Sequence, residues 1–284
     1  MKTGLVIEGG GVRGIYAAGV LDVFLEAGME FDGVIGVSAG AIHGCSYLSR
    51  QKGRSLRYYK RYCNDPRFMS LRSLLTTGDL VGEQFCYHDI PDRLDVYDHA
   101  AFFANPAPFY VTCTNVETGR AEHIRMTDMA AQIDCLRASA SLPYVSRMVE
   151  IDGRKYLDGG IADSVPLRAF EGMGYPRNVV IRTRPSAYRK KPELQALPAL
   201  FYRDYPAFAA IFANRHRDYN LTAAYIAERE RQGAVFVIAP KEPLDIGRLE
   251  KNPENVQRTY DRGYADATEL LPRLKKWRET GREP

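Results

Sequence analysis

No stretch of this 284-residue sequence strings together about 20 apolar residues, so no segment is expected to cross a bilayer as a helix. The opening MKTGLVIEGG has too short an apolar run for a secretion signal and leads directly into glycines that belong to a fold. A large excess of either charge is lacking as well. The formal net charge is +4, and no basic residues alternate with aromatics as a nucleic-acid surface requires, so nucleic acid is not an expected partner. The five cysteines are odd in number and contain no CxxC, which argues against a disulfide framework and a zinc site and for a reducing, cytoplasmic setting. HExxH is missing, no His, Asp and Glu cluster has metal-ligand spacing, and no Gly-Lys-Ser/Thr is present. Neither a metal nor another cofactor is therefore expected.

What remains is the composition of a folded chain, with 45% hydrophobic and 26% charged residues. Leu5 to Ile7 reads as a strand, Gly9 to Gly14 as a loop, and Ile15 to Ala27 as a helix with Ala17, Ala18, Leu21, Phe24 and Leu25 on one face. Gly28 suits the helix end. A second unit follows at once: strand Gly33 to Val37, then a helix reaching about Ser49. Two strand–turn–helix units in succession favour an α/β fold with parallel strands and crossover helices. Residues 53–107 are irregular and apolar, and read equally as a cap over a site or as short helices completing the core. Further strands are expected at Phe109 to Thr114, at Arg147 to Ile151 and Lys155 to Leu157 around the Asp152-Gly153 turn, at Val179 to Thr183 and at Ala234 to Ala239. Helices are expected at Ser55 to Cys63, Ala130 to Ser139, Pro198 to Arg231 with a break at Pro206, and Pro253 to Trp277. The parse is one domain over residues 1–240 and a C-terminal helical extension over 241–284. The basic run Arg189, Lys190, Lys191 reads as a solvated loop. A second run at Lys275, Lys276, Arg278 and Arg282 leaves room for peripheral contact with phosphate headgroups at a membrane surface.

Three motifs carry chemistry. Gly36-Val37-Ser38-Ala39-Gly40 is GxSxG at a strand-to-helix junction, where a sharp turn throws the serine hydroxyl clear of the backbone. The plain alternative is that Ser38 only caps the helix. Gly9 to Gly14 also joins a strand to a helix, and its N–H groups can form a concavity for negative charge, to which Arg13 adds either charge or a loop-ordering bond. The same residues match GxGxxG, so a nucleotide-cofactor enzyme is a rival, although the second strand ends in Ser38 where that fold wants an acidic residue. Asp158-Gly159-Gly160 places a carboxylate at a strand end, either to act on a substrate or simply to form the turn.

A serine nucleophile usually takes a histidine as base. His43 lies five residues past Ser38, about 140° round and about 7.5 Å along a helix, which keeps its ring from the hydroxyl. His88, His99, His123 and His216 lie at no glycine-framed strand end, whereas Asp158 does. This favours a serine–aspartate pair, in which burial raises the carboxylate pKa enough for it to act as a base.

Together these residues resemble the bacterial patatin-like phospholipases over roughly residues 3–185. The glycine loop, the elbow and Asp158-Gly159-Gly160 come in family order, and Ser139-Ala140-Ser141-Leu142-Pro143 and Val165-Pro166 resemble the family too. The resemblance implies a three-layer α/β/α fold with a mostly parallel central sheet and an esterase or phospholipase activity without calcium. It implies that Ser38 is the nucleophile and Asp158 its general base, that Gly10, Gly11 and Val12 form the oxyanion hole, and that Arg13 supports that loop. The expected partner is a lipid or other acyl ester. The apolar residues at 68 to 85 and the aromatics Phe201, Tyr202, Tyr205, Phe208 and Phe212 read either as an acyl-chain groove or as core packing. A noncatalytic, lipid-responsive binding protein on the same fold is the second alternative.

Overall fold

The computed structural model describes residues 1–192, Leu194 and residues 196–280; Arg282 of the second basic run lies outside them. Eight strands form one sheet: β1 Thr3–Ile7, β2 Gly33–Val37, β3 Phe109–Asn115, β4 Ala121–Met126, β5 Val149–Ile151, β6 Arg154–Asp158, β7 Arg177–Ile181 and β8 Val235–Ile238. Their order is β5-β6-β3-β2-β1-β7-β8, with β4 also paired to β3. The β3–β2–β1–β7–β8 run is parallel, and the β4, β5 and β6 pairings are antiparallel. The helices are α1 Ile15–Glu26, α2 Ala39–Leu48, α3 Arg54–Tyr62, α4 Leu71–Thr77, α5 His99–Ala104, α6 Ile133–Ala140, α7 Leu167–Gly172, α8 Ala196–Phe201, α9 Pro206–Arg231 and α10 Pro253–Thr280. Phe85–Leu94 forms a π-helical stretch.

The central strands carry continuous apolar runs, Leu5–Ile7 in β1, Val34–Val37 broken only by Gly36 in β2 and Val179–Ile181 in β7, because both faces are covered. Successive side chains point to opposite faces. Leu5, Ile7, Val34, Val179 and Ile181 pack into one core with Tyr16, Val20 and Phe24 of α1, Leu48 of α2 and Trp277 of α10. Val6, Ile35 and Val180 pack on the other face against Leu167 and Phe170 of α7 and Ile226 of α9. This is the three-layer arrangement, with a long helix at the C-terminal end. That helix is fastened to α1 by two tyrosine–aspartate bonds running in opposite senses. Tyr16 donates to Asp266 at 2.9 Å, and Tyr260 of α10 donates to Asp22 at 2.6 Å.

The expected hairpin forms as its turn chemistry requires. Asp152 and Gly153 both take left-handed φ, 50° and 73°, between β5 and β6. One expectation changes, and one pair of alternatives is decided. Lys190 is not solvated: it is buried, because the Asn220 side chain of α9 accepts from its N–H at 2.8 Å and donates to its carbonyl at 3.0 Å. Of the aromatics considered for a groove, Tyr202 and Phe208 are buried with Val116, Leu157 and Ile161 in a separate cluster on which Tyr205 and Phe212 pack. Phe201 stands largely exposed beside Tyr144, and none of the five lines a cavity at Ser38. Among the described residues no helix is long and apolar enough to cross a membrane.

Candidate active site

Ser38 sits between the end of β2 and the start of α2 with φ 54° and ψ −126°, a conformation that L-residues adopt only under constraint. The constraint is visible. The Ser38 N–H donates to the Ser139 hydroxyl at 2.8 Å, and the Ser139 hydroxyl donates to the Thr112 carbonyl at 2.7 Å. The Ser38 carbonyl accepts from the N–H groups of Ala41 and Ile42, which starts α2. Gly40 is needed for a separate reason: a Cβ there would lie 2.5 Å from the Ile7 carbonyl oxygen of β1. The hydroxyl-bearing residue is thus held in a tight turn between β2 and α2.

Asp158 ends β6, which pairs antiparallel with β3 and so brings the carboxylate to the C-terminal side of β2 and β3. Ser38 and Asp158 line one polar pocket, and both are buried. One carboxylate oxygen of Asp158 accepts from the Gly160 N–H at 2.7 Å. Burial pushes the Asp158 carboxyl above the usual aspartate range. The positive charge of Arg215, a hydrogen bond with the Ser38 side chain and the Gly160 N–H bond pull it back down. A base poised in this way, in contact with a strained serine, can take the serine proton as an oxyanion forms.

Gly9, Gly10, Gly11 and Arg13 border the same pocket. Gly11 has φ 58°, and its N–H and that of Gly10 take no hydrogen-bond acceptor among the described residues. Val12 differs from the expectation. Its N–H donates to the Arg248 carbonyl at 3.1 Å, because the segment after β8 crosses the glycine loop at that point, and its side chain faces the neighbouring apolar cavity. Arg13 is 7% exposed, and its Nε has no hydrogen-bond partner. Its contribution is therefore charge rather than a bond through that nitrogen.

The histidines stand apart from this pair. His43 shares the apolar cavity with Ser38, but its Nδ1 meets the Ser55 hydroxyl at 2.9 Å, and burial lowers its pKa to about 4. His123 meets the Thr112 hydroxyl at 3.0 Å. Among the described residues no histidine hydrogen-bonds Ser38, and no group of three or more His, Cys, Asp or Glu could hold a metal ion.

Two spaces meet at Ser38. One is an apolar cavity of about 250 Å³, walled by Ile42, Tyr59, Phe68, Met69, Val81 and Leu136 among others. Much of that wall comes from the irregular region, which therefore does form part of the covering of the site. The other is the polar pocket, to which Glu8, Thr183, Arg184, Lys190, Arg215 and Arg248 also contribute. No motif in the sequence marks these six as site residues. Glu8, immediately before the glycine loop, was open to discovery as a buried acid at a strand end. It accepts from the Thr183 N–H at 2.6 Å and the Tyr219 hydroxyl at 2.7 Å, tying β1 to α9.

Fold, elbow and glycine loop define an α/β protein of the acyl-hydrolase type, and comparison with known proteins gives the family. The model for patatin-like phospholipases matches residues 5–171, more than half of the chain, and the chain belongs to that family. A domain of unknown function matches residues 205–279. The uncharacterized protein YjjU of Escherichia coli is 31% identical over 68% of this chain and 55% of its own length. An uncharacterized NTE family protein of Mycobacterium tuberculosis is 26% identical over 63% of this chain and 48% of its own. The lysophospholipase nte1 of Aspergillus oryzae is 28% identical over 61% of this chain and 11% of its own. The chain thus spans about half the length of the two bacterial relatives.

Proposed function

We propose that this protein is a serine acyl hydrolase that cleaves carboxylic esters of lipids through an acyl-enzyme, with Ser38 as nucleophile and Asp158 as general base. The observation that carries the reading is the position of Ser38. A serine held at positive φ touches a buried carboxylate and opens on one side to an apolar cavity and on the other to a polar pocket. An acyl chain fits the first space and the alcohol part of an ester the second.

Asp158 accepts the Ser38 proton as the serine oxygen attacks the ester carbonyl. The N–H groups of Gly10 and Gly11 hold the oxyanion, and removal of one such donor typically costs about 3 kcal/mol of barrier. The Val12 N–H joins them only when the Arg248 carbonyl moves off it. The proton on Asp158 passes to the leaving alkoxide. Water then enters, gives a proton to Asp158 and attacks the acyl-enzyme, and Ser38 leaves with that proton as the fatty acid departs. In this reading residues 1–240 form the hydrolase domain, and the extension 241–284 touches the site through Arg248. Kinship with a lysophospholipase supports lipid esters as the substrate class.

The test is hydrolysis of a medium-chain p-nitrophenyl ester by wild-type and Ser38→Ala protein of equal thermal stability. The reading expects the variant to fall to about a thousandth of wild-type kcat/KM or lower. A variant that retains most of the activity overturns it.

A further inference from the structure

We propose that Arg215 and Tyr219, one turn apart on α9, are positioning residues for the hydrolysis. They brace the turn that carries Asp158 and the loop that carries the oxyanion donors, so that the segment matching a domain of unknown function completes the active site. This goes beyond the hydrolase reading above and rests on it for the chemistry.

Apolar contacts near its two ends set α9 in place. Phe208 and Ala209 pack with Leu157 of β6 and with Ile161, and Ile226 packs with Val6 of β1 and Val180 of β7. Between these anchors the helix turns polar. Residues four apart share a helix face, and Arg215 and Tyr219 both border the polar pocket that holds Ser38 and Asp158. Tyr219 is buried. A phenylalanine would fill that position without the cost of burying a hydroxyl, which has to be recovered through hydrogen bonds. Those bonds lead to the catalytic loops.

The first arm holds the base. Arg215 donates through Nε to the Gly160 carbonyl, and the Ser164 hydroxyl donates to the same oxygen at 2.7 Å. The Gly160 N–H donates to the Asp158 carboxylate at 2.7 Å. Fixing Gly160 therefore aims the N–H that orients the base. The arm is packed closely on this turn: a Cβ at Gly160 would lie 3.0 Å from the Asp158 Oδ1 and 3.1 Å from the Arg215 Nη2.

The second arm holds the oxyanion loop. The Tyr219 hydroxyl accepts from Arg182 at 3.2 Å and donates to Glu8 at 2.7 Å. Glu8 is buried and directly precedes the glycine loop. Its other carboxylate oxygen accepts from the Thr183 N–H at 2.6 Å, and the Thr183 hydroxyl donates to the Gly9 carbonyl at 3.1 Å. Gly9 abuts the nucleophile, since a Cβ there would lie 3.1 Å from the Ser38 Cβ. Without the Tyr219 hydroxyl, Glu8 would be a buried carboxylate one bond short, and the loop that sets Gly10 and Gly11 against Ser38 would loosen. Oxyanion donors act only when they are held in place beforehand, so such loosening acts on the transition state.

The test is steady-state hydrolysis of the p-nitrophenyl ester by full-length protein, each variant measured at the pH of its own plateau. Among the described residues none on α9 lines the apolar cavity, so substrate binding there is untouched. Tyr219→Phe and, separately, Arg215→Gln are each expected to lower kcat about tenfold or more and to change KM less than about twofold. Combining Tyr219→Phe with Glu8→Gln is expected to lower kcat no further than the worse of the two single substitutions, because both cut the same arm. Ile226→Ala, in the apolar anchor, is expected to lower the melting temperature while kcat changes less than about twofold. Two arms on separate loops guard against misfolding of one variant, and thermal melts check each. An unchanged kcat in either folded variant, or losses that multiply in the Tyr219–Glu8 pair, overturns the proposal. A loss in KM alone overturns it too, by making these side chains substrate contacts. An equal loss of kcat in Ile226→Ala does the same, by reducing their effect to general loosening of the helix. Failure of the hydrolase reading is seen separately, as ester hydrolysis that survives Ser38→Ala.

Discussion

The backbone N–H of Ser38 donates to the side chain of Ser139, 2.8 Å away, and Ser139 donates in turn to the carbonyl of Thr112 at 2.7 Å. One small hydroxyl thus ties the elbow to α6 and β3. Ser139→Ala leaves a buried N–H and a buried carbonyl unmatched, which typically costs about 1–3 kcal/mol. We expect urea denaturation to show a loss of that size. Ester hydrolysis should drop mainly in kcat, because the elbow loosens while the acyl cavity is untouched. A variant of unchanged stability and unchanged kcat would show that the relay does not hold Ser38.

Strain at Ser38 gives an expectation of opposite sign. A non-glycine residue at φ 54° and ψ −126° carries on the order of 1–3 kcal/mol of backbone strain. Ser38→Gly relieves it while giving the unfolded chain slightly more freedom. The expected result is a protein whose stability rises by about 1 kcal/mol and whose ester hydrolysis is lost. A lower melting temperature for this variant would contradict the strain argument.

In the proposed mechanism the pH profile follows from Asp158. Burial holds its carboxyl above the ordinary aspartate range, and a general base works only when deprotonated. Activity therefore falls as pH drops, with an acid limb above that of a solvent-exposed aspartate. The positive charge of Arg215 is the strongest influence pulling this carboxyl down. Removing its charge with Arg215→Gln should raise the carboxyl further and move the limb in kcat/KM to higher pH. A limb that stays in place, or moves to lower pH, assigns it to another group.

Much of this was legible in the sequence where the signal is local. The elbow is written in Gly36 to Gly40, because a sharp strand-to-helix turn and the approach of Gly40 to the Ile7 carbonyl demand small residues. Asp152-Gly153 announces its hairpin because both residues sit at positive φ. The meeting of Ser38 with Asp158 is long-range, and only strand ends and family resemblance pointed to it. What stayed hidden depends on contacts between distant segments. Lys190 sits between two charged neighbours in a proline-flanked run, and nothing nearby reveals that Asn220 buries it. The aromatics from Phe201 to Phe212 have the same helical spacing whether they face a ligand or one another, and they face Tyr144 and each other. Val12 lies in the expected loop, but Arg248, 236 positions later in a C-terminal segment, takes its N–H.

The central claim is that Ser38 is an activated nucleophile and Asp158 its base. The most direct measurement is reaction of the folded protein with a fluorophosphonate, followed by intact mass and peptide mapping, with Asp158→Asn protein alongside. The account predicts a single adduct on the peptide bearing Ser38, formed much more slowly in the Asp158→Asn variant. No adduct on well-folded protein, an adduct on another residue, or an equal rate in the variant would contradict it.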